Sequence, residues 1–261
     1  MSDTFIRRYL DLISTRDRSY ITRRSFLKGH AAFFLGATLA SSGIVVPSRS
    51  GAQPAQDIAA VTGRPAQATR VAVEILGGMG AFVKRGQKVV IKPNMSFAGT
   101  IEDGVATHPE VVREIVAMCG EAGAARIRVL DHPLRPAERC VAGIRNACRP
   151  YGESLVHGLE ERSFYREVDI GRGVSLTRAE VMRDVLEADV LIAVPVAKSH
   201  GSTGVSLSMK GMMGLVWNRT VMHWRHDLHE AIVDLCTLLR PALVVVDATR
   251  VLSTNGPAGP G

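Results

Sequence analysis

Between Lys198 and Lys210 the chain reads KSHGSTGVSLSMK, two lysines and a histidine among five hydroxyl residues and two glycines. Lys198 and His200 follow directly on VLIAVP, an apolar run with the composition of a buried strand. A lysine so placed is suited to hold an anion. Ser199, Ser202, Thr203, Ser206 and Ser208 offer hydroxyl and backbone donors for a phosphate or carboxylate. The segment has neither the GxxxxGK[ST] of a Walker loop nor the GxGxxG of a dinucleotide fold. Lys210 sits in an otherwise apolar stretch, SLSMKGMMGLV. Facing the interior, its ammonium must be paired or its pKa lowered by desolvation, which would make the amine a nucleophile or base. On an amphipathic helix it would instead snorkel to solvent.

Three other apolar runs end in the same way. QKVVI is followed by Lys92-Pro93-Asn94, RIRVL by Asp131-His132, and ALVVV by Asp247. In open α/β sheets ligands sit beyond the carboxyl ends of the strands, so these groups are expected on one rim. Lys92, Asn94, Lys198, Ser199 and Thr203 are the candidate anion-binding residues, and His132, His200 and Lys210 the candidate catalytic ones. Asp131 and Asp247 also read as ordinary turn residues. Further on, HWRHDLH spaces His223, His226 and His229 at i, i+3 and i+6. His226 could share a helix face, and a metal, with either neighbour, although HExxH is absent.

The elements that must position these residues alternate along the chain. A helix is predicted over Thr69–Val83, a strand over Gln87–Ile91, and a helix from His108 N-capped by Thr107, with Glu110 at its third position. The strand Arg126–Leu130, a helix from Pro136 through Cys148, and two short strands near SLVHG and EVDI come next. Ala179–Glu187 reads as helix, Asp189–Val194 as strand, Val221–Leu239 as helix and Ala242–Val246 as strand. The segment between Val196 and Gly214 reads as a ligand loop. Such alternation implies an α/β fold, a mostly parallel sheet with helices on both faces. The Gly- and Pro-rich end follows a strand with no helix to cover it, so the domain is expected to be C-terminally incomplete, even a fragment unable to fold alone.

The first fifty residues carry most of the charge imbalance. The chain has 32 Lys and Arg against 25 Asp and Glu, a formal net charge of +7. Eight of those bases and three of those acids precede Gln53, leaving 24 against 22 in the remainder. The body thus gives no sign of a nucleic-acid partner. Thr22-Arg23-Arg24-Ser25-Phe26-Leu27-Lys28 has the form of a twin-arginine export motif, followed by a mildly apolar stretch from Ala31 to Val46. Ser50-Gly51-Ala52 then offers small residues for cleavage before Gln53. The reading is a signal peptide over residues 1–52, a single α/β domain over 53–261, and a periplasmic or other extracytoplasmic destination. The translocase is the partner during export, and no membrane span remains after cleavage; an uncleaved anchor is the alternative.

Of the four cysteines, Cys119, Cys140, Cys148 and Cys236, none forms CxxC, so neither zinc nor an iron–sulfur cluster is expected. Cys119 and Cys236 fall in apolar helical patterns and read as core thiols. Cys140 and Cys148 lie eight apart on one predicted helix, about 12 Å by helical rise, too far to pair.

Val90-Ile-Lys-Pro-Asn94, His108-Pro-Glu-Val-Val112, Glu121-Ala-Gly123, Ala188-Asp-Val-Leu-Ile192, Val194-Pro195 with Lys198-Ser-His200, Ser208-Met-Lys-Gly211 and Asn255-Gly-Pro257 together resemble the domain of unknown function 362 family. The resemblance spans roughly Gly80 to Pro257. It implies an α/β fold without a settled activity. Many family members carry ferredoxin-type clusters in an added segment whose cysteines this chain lacks, and members continue past the Gly-Pro segment. A more distant likeness is to nickel-pincer lactate racemases, which order a histidine, a Gly/Ser-rich loop, a lysine bonded to the pincer nucleotide and a histidine ligand. His200, Lys210 and His226 follow that order and spacing, Gly204 and Ser206 match within the loop, and His132 resembles the partner catalytic histidine. The racemase Gly-Arg before the lysine is here Ser208-Met209, and its Asp-x-Thr-Arg element is Lys92-Pro93-Asn94. This likeness implies a nucleotide-derived, nickel-pincer cofactor, and a cofactor installed in the cytoplasm would suit export in the folded state.

Together these readings describe an exported protein acting on a small anionic molecule at the strand C-terminal rim, an enzyme of redox or isomerisation type. The alternative is a periplasmic ligand-binding or accessory protein without catalysis.

Overall fold

The computed structural model of the chain describes residues 57–259. The twin-arginine motif, the apolar stretch after it and the cleavage site before Gln53 lie outside the described residues. Helix α1 (Pro65–Ile75) leads to β1 (Lys88–Pro93), α2 (Pro109–Glu121), β2 (Arg126–Asp131), α3 (Ala137–Cys148) and β3 (Val156–Gly158). Next come β4 (Tyr165–Asp169), β5 (Arg178–Met182), the short α4 (Arg183–Leu186) and β6 (Val190–Val194). β7 (Val196–His200), β8 (Gly204–Ser206), α5 (Ser208–Gly211), α6 (Arg219–Arg225), α7 (Leu228–Leu238), β9 (Leu243–Val244) and β10 (Asp247–Leu252) complete the order.

The central sheet has the order β3-β2-β1-β6-β9, and every pairing within it is parallel. Because side chains alternate across a strand, β1 and β6 feed two cores. Val89, Ile91, Ile192 and Val194 point to one face, where Val112, Ile115 and Val116 of α2 and Val141 and Ile144 of α3 cover them. Val90, Leu191 and Ala193 point to the other, against Ala231, Ile232 and Leu235 of α7 and the 212–216 turn. The expected α/β architecture, with cover on both faces, is what the chain adopts.

Several elements differ from the sequence reading, each for a local reason. The first helix ends at Ile75 rather than Val83, because Gly77 and Gly78 take φ of 100° and 76° and turn the chain. Residues 179–182, read as helix, instead form part of β5, which pairs antiparallel with β4 from Tyr165↔Met182 to Asp169↔Arg178. A short apolar run fits either period, and here the neighbouring strand decides. The predicted helix over Val221–Leu239 breaks at His226, which is extended at φ −126°, ψ 157°. Asp227 caps the second half by accepting from the N–H groups of His229 and Glu230. Only Leu243–Val244 of the ALVVV strand pairs with the central sheet, and Val244 and Val246 are exposed. β10 then crosses to a second sheet of order β10-β7-β8. The supposed ligand loop is therefore largely a hairpin: β7 and β8 pair antiparallel from Lys198↔Ser206 to His200↔Gly204.

Thr107 is not the cap of α2. With Pro109 opening the helix, His108 takes the cap position, and its Nδ1 accepts from the Glu110 N–H at 3.1 Å. The Thr107 hydroxyl instead accepts from the Asn94 N–H at 2.8 Å and donates to the Val194 carbonyl at 2.7 Å. It thereby ties together the carboxyl ends of β1 and β6, where the rim begins.

Candidate functional site

β1 and β6 run in register to Pro93↔Val194, so their ends emerge side by side. Asp131 at the end of β2 is fully buried and serves three donors. Its Oδ2 accepts from the Met95 N–H at 2.6 Å, and its Oδ1 accepts from the His132 N–H at 2.9 Å and faces Lys92 Nζ at 3.0 Å. Lys92, 3% exposed, donates also to the Pro93 carbonyl at 2.6 Å. Burial pushes its pKa down against the opposing pull of Asp131. The turn at Gly214 lies directly on this pair: a Cβ there would sit 2.2 Å from Asp131 Oδ1 and 2.9 Å from Lys92 Nζ. No side chain fits, which accounts for a glycine inside an otherwise apolar run.

β7 delivers Lys198, 4% exposed, to the same rim. Its ammonium donates to the carbonyls of Val105 at 2.9 Å and Pro257 at 3.0 Å, reaches Asn94 Oδ1 at 3.4 Å, and lies 5.1 Å above the Phe97 ring. Burial first, then Lys92, lower its pKa to about 8.

Above these two satisfied cations opens a cleft of about 120 Å³ lined by Lys92, Lys198, His200, Lys210, Arg219 and His223. Lys210 comes from α5, and burial with the nearby charges of Arg219 and Lys92 lowers its pKa to about 8. Among the described residues, no hydrogen bond or ion pair holds its amine. Arg219 opens α6 and is 8% exposed, yet its Nη2 has no hydrogen-bond partner among the described residues. Burial opposes its charge, but a guanidinium does not release its proton. His200 has its Nδ1 accepting from the Ser202 N–H at 3.2 Å, which leaves the ring proton on Nε2. Burial, Lys210, His223 and Lys198 lower its pKa to about 4, so the ring is neutral at pH 7. His223 faces it with ring centroids 6.4 Å apart, and its pKa also falls, chiefly by burial.

The rim thus gathers Lys92, Asn94, Lys198, His200 and Lys210 as the sequence led one to expect. It does not gather the other four candidates. His132 stacks on Trp217 at 5.2 Å and 3°, and its Nδ1 contacts the Val216 carbonyl at 3.2 Å, beside the cleft rather than in it. The Ser199 hydroxyl accepts from the Gly256 N–H, and that of Thr203 donates to the Val205 carbonyl at the hairpin tip. His226 Nδ1 lies 2.6 Å from the carbonyl of Ser175, in a loop whose N–H groups at Val174, Ser175 and Leu176 converge on Asp234 Oδ2. Among the described residues no group of three or more His, Cys, Asp or Glu is arranged to hold a metal. The four cysteines are free thiols. Of the charged and titratable groups in the cleft, Arg219 was not foreseen, and His223, read in the sequence only as a metal partner of His226, joins the cleft instead. One signal for Arg219 was available: a cation in the first turn of a helix opposes the helix dipole and calls for a reason.

A family model described as "Domain of unknown function (DUF362)" matches residues 89–261, a span that holds every cleft residue named above. The chain belongs to the DUF362 family. It is also 28% identical over 196 residues to a thylakoid-associated protein of Synechocystis sp., an alignment covering 72% of this chain and 60% of that protein. The DUF362 chain thus spans about 60% of the length of the relative it matches. No described helix is long and apolar enough to cross a membrane. The nickel-pincer arrangement is not reproduced by these residues. His200 and Lys210 share the cleft, but the histidine that would ligate nickel, His226, packs against Ser175 outside it.

Proposed function

We propose that this DUF362 protein binds a small anionic molecule in the cleft at the strand ends and acts on it as an enzyme of isomerisation type. One observation carries the reading: Lys210 and the Arg219 Nη2 are two buried or half-buried cationic donors with no acceptor among the described residues. A buried unsatisfied donor costs about 1–3 kcal/mol, more when charged. A ligand oxyanion would offset that cost, and the nearby carboxylate, Asp131, is already committed to Lys92 and two N–H groups. Two neutral imidazoles beside the bound anion provide a route for moving a proton. Proton transfer is the chemistry these side chains can carry by themselves, whereas a redox step would draw on a cofactor.

The test is a calorimetric titration with inorganic phosphate, lactate and pyruvate, with glycerol as the uncharged control. Binding of at least one anion, weakened about tenfold in Arg219→Gln, is the expected result; equal response to glycerol would refute it. A binding or accessory role without turnover is the second reading. It is favoured by the His200 tautomer, whose Nε2–H donates and does not abstract a proton. Incubation of lactate or pyruvate with the protein in D₂O separates the two, since exchange at lactate C2, or at pyruvate C3 above its rate without protein, requires catalysis.

For the residues before Gln53 the proposal is twin-arginine export to an extracytoplasmic compartment, supported by the Arg23-Arg24-Ser-Phe-Leu-Lys28 motif. That the Synechocystis relative is named thylakoid-associated is compatible with delivery to a membrane compartment. Cell fractionation checks this: Arg23→Lys with Arg24→Lys should retain the protein in the cytoplasm, and unchanged export would dispose of it.

A further inference from the structure

We propose that Lys210 is a nucleophile that forms an imine with a small 2-oxo acid whose carboxylate is held by Arg219. The inference rests on the anion-binding reading above and names the class of ligand. Three cleft amines are candidates, and their surroundings separate them. Lys92 Nζ is engaged by Asp131 and the Pro93 carbonyl, and Lys198 Nζ by two carbonyls and Asn94. Both are held as ammonium donors by acceptors that favour the charged form. Lys210 has no such acceptor among the described residues, and its neighbours Arg219 and Lys92 are themselves cations. Neighbouring positive charge and partial burial are the conditions under which a lysine keeps its lone pair free for attack on a carbonyl. The unpartnered Nη2 of Arg219, in the same cleft, supplies the anchor for a carboxylate. A cleft of about 120 Å³ suits a ligand of a few carbon atoms.

The chemistry balances without an oxidant or reductant. The Lys210 amine attacks the keto carbon, a C–N bond forms, and the carbonyl π pair moves to oxygen, which takes the one net proton of the reaction from solvent, relayed through His200 as its Nε2–H is given up and replaced. A proton leaves the nitrogen to His223. The carbinolamine C–O bond then breaks, and its oxygen departs as water with a returned proton. The products are a protonated imine and one water. The iminium draws electrons from the adjacent carbon, so a C–H there becomes acidic. This is how an isomerisation-type proton transfer would proceed in the cleft.

The experiment is reductive trapping of the full-length protein with pyruvate and sodium cyanoborohydride, read by intact mass and peptide mapping. Acetone, a ketone without the carboxylate, is the control. A single reduced adduct on Lys210, formed about tenfold faster than on surface lysines and not with acetone, is the expected result. Lys210→Arg should abolish it. Arg219→Gln, which keeps the amine, should slow it to the surface rate, so the outcome does not hang on whether the lysine variant folds. Adducts scattered over surface lysines, or on Lys198 in place of Lys210, would overturn the inference. If pyruvate or phosphate binds by calorimetry but no adduct forms at Lys210, the imine is wrong and the anion site stands. If neither anion binds nor labels, both readings fail together.

Discussion

The rim has two poles that look alike in composition and differ in how their charges are met. At one, Lys92 and Lys198 meet Asp131, Asn94 and three backbone carbonyls, so that every buried ammonium has its acceptors. At the other, Lys210 and Arg219 share the same cleft, and among the described residues no acceptor meets Lys210 or the Arg219 Nη2. Buried charge satisfied from within holds the fold together. Buried charge left unsatisfied costs stability and persists where a ligand completes it. On the proposed reading the first pole serves the structure and the second the function, although both present cations at strand or helix ends.

The sharpest way to break that assignment is at the first pole. Asp131→Ala would strand Lys92 and free the N–H groups of Met95 and His132, and should cost about 3–5 kcal/mol of folding stability in urea denaturation. A loss below about 1 kcal/mol would show that the pair is not structural. At the second pole the signs reverse. Arg219→Met should weaken anion binding about tenfold to hundredfold, the worth of one charged hydrogen bond, while leaving the melting temperature unchanged or higher. A variant that unfolds instead would move Arg219 to the structural side.

Proton linkage sharpens the contrast with a smaller effect. Burial and the charges of Arg219 and Lys92 lower the pKa of Lys210 in the folded protein to about 8, below its ordinary 10.5. Between those values the unfolded chain binds more protons, so the contribution of Lys210 to stability rises with pH. Lys210→Met should flatten that rise and be no less stable at pH 7. Anion affinity runs the opposite way, falling as pH passes about 8 in the wild type, and Lys210→Arg should hold it level. The smallest effects belong to residues outside both poles. Ser199→Ala and Thr203→Ala should change phosphate affinity by less than about twofold and stability by no more than about 1 kcal/mol. A larger loss of affinity would return the hairpin to the site.

Much of this rim could be read from the chain because parallel strands bury continuous apolar runs and must release their polar residues at the ends. Lys92, Asn94, Lys198 and His200 were legible for that reason, and so was the two-faced core. Three features escaped for distinct reasons. The break at His226 depends on Asp227 winning the N–H groups of His229 and Glu230, a competition that helical periodicity does not register. β5 needed the long-range partner β4 to be told from a helix. Arg219 sits among Trp, Asn and Thr with no motif of its own, and becomes a site residue only because the turn through Gly214 folds back onto Lys92 and Asp131. His132 was misplaced by the opposite error: its strand end is right, but its ring turns to Trp217 and Tyr165 instead of the cleft.

The measurement that bears most directly on the two-pole account is a crystal structure of the protein soaked with inorganic phosphate. The expected result is an oxyanion within hydrogen-bond distance of Arg219 Nη2 and the Lys210 amine, with Lys92 still on Asp131 and Lys198 still on its carbonyls. Phosphate bound to Lys92 or Lys198 with those internal bonds broken, or a cleft empty at saturating phosphate, would contradict it.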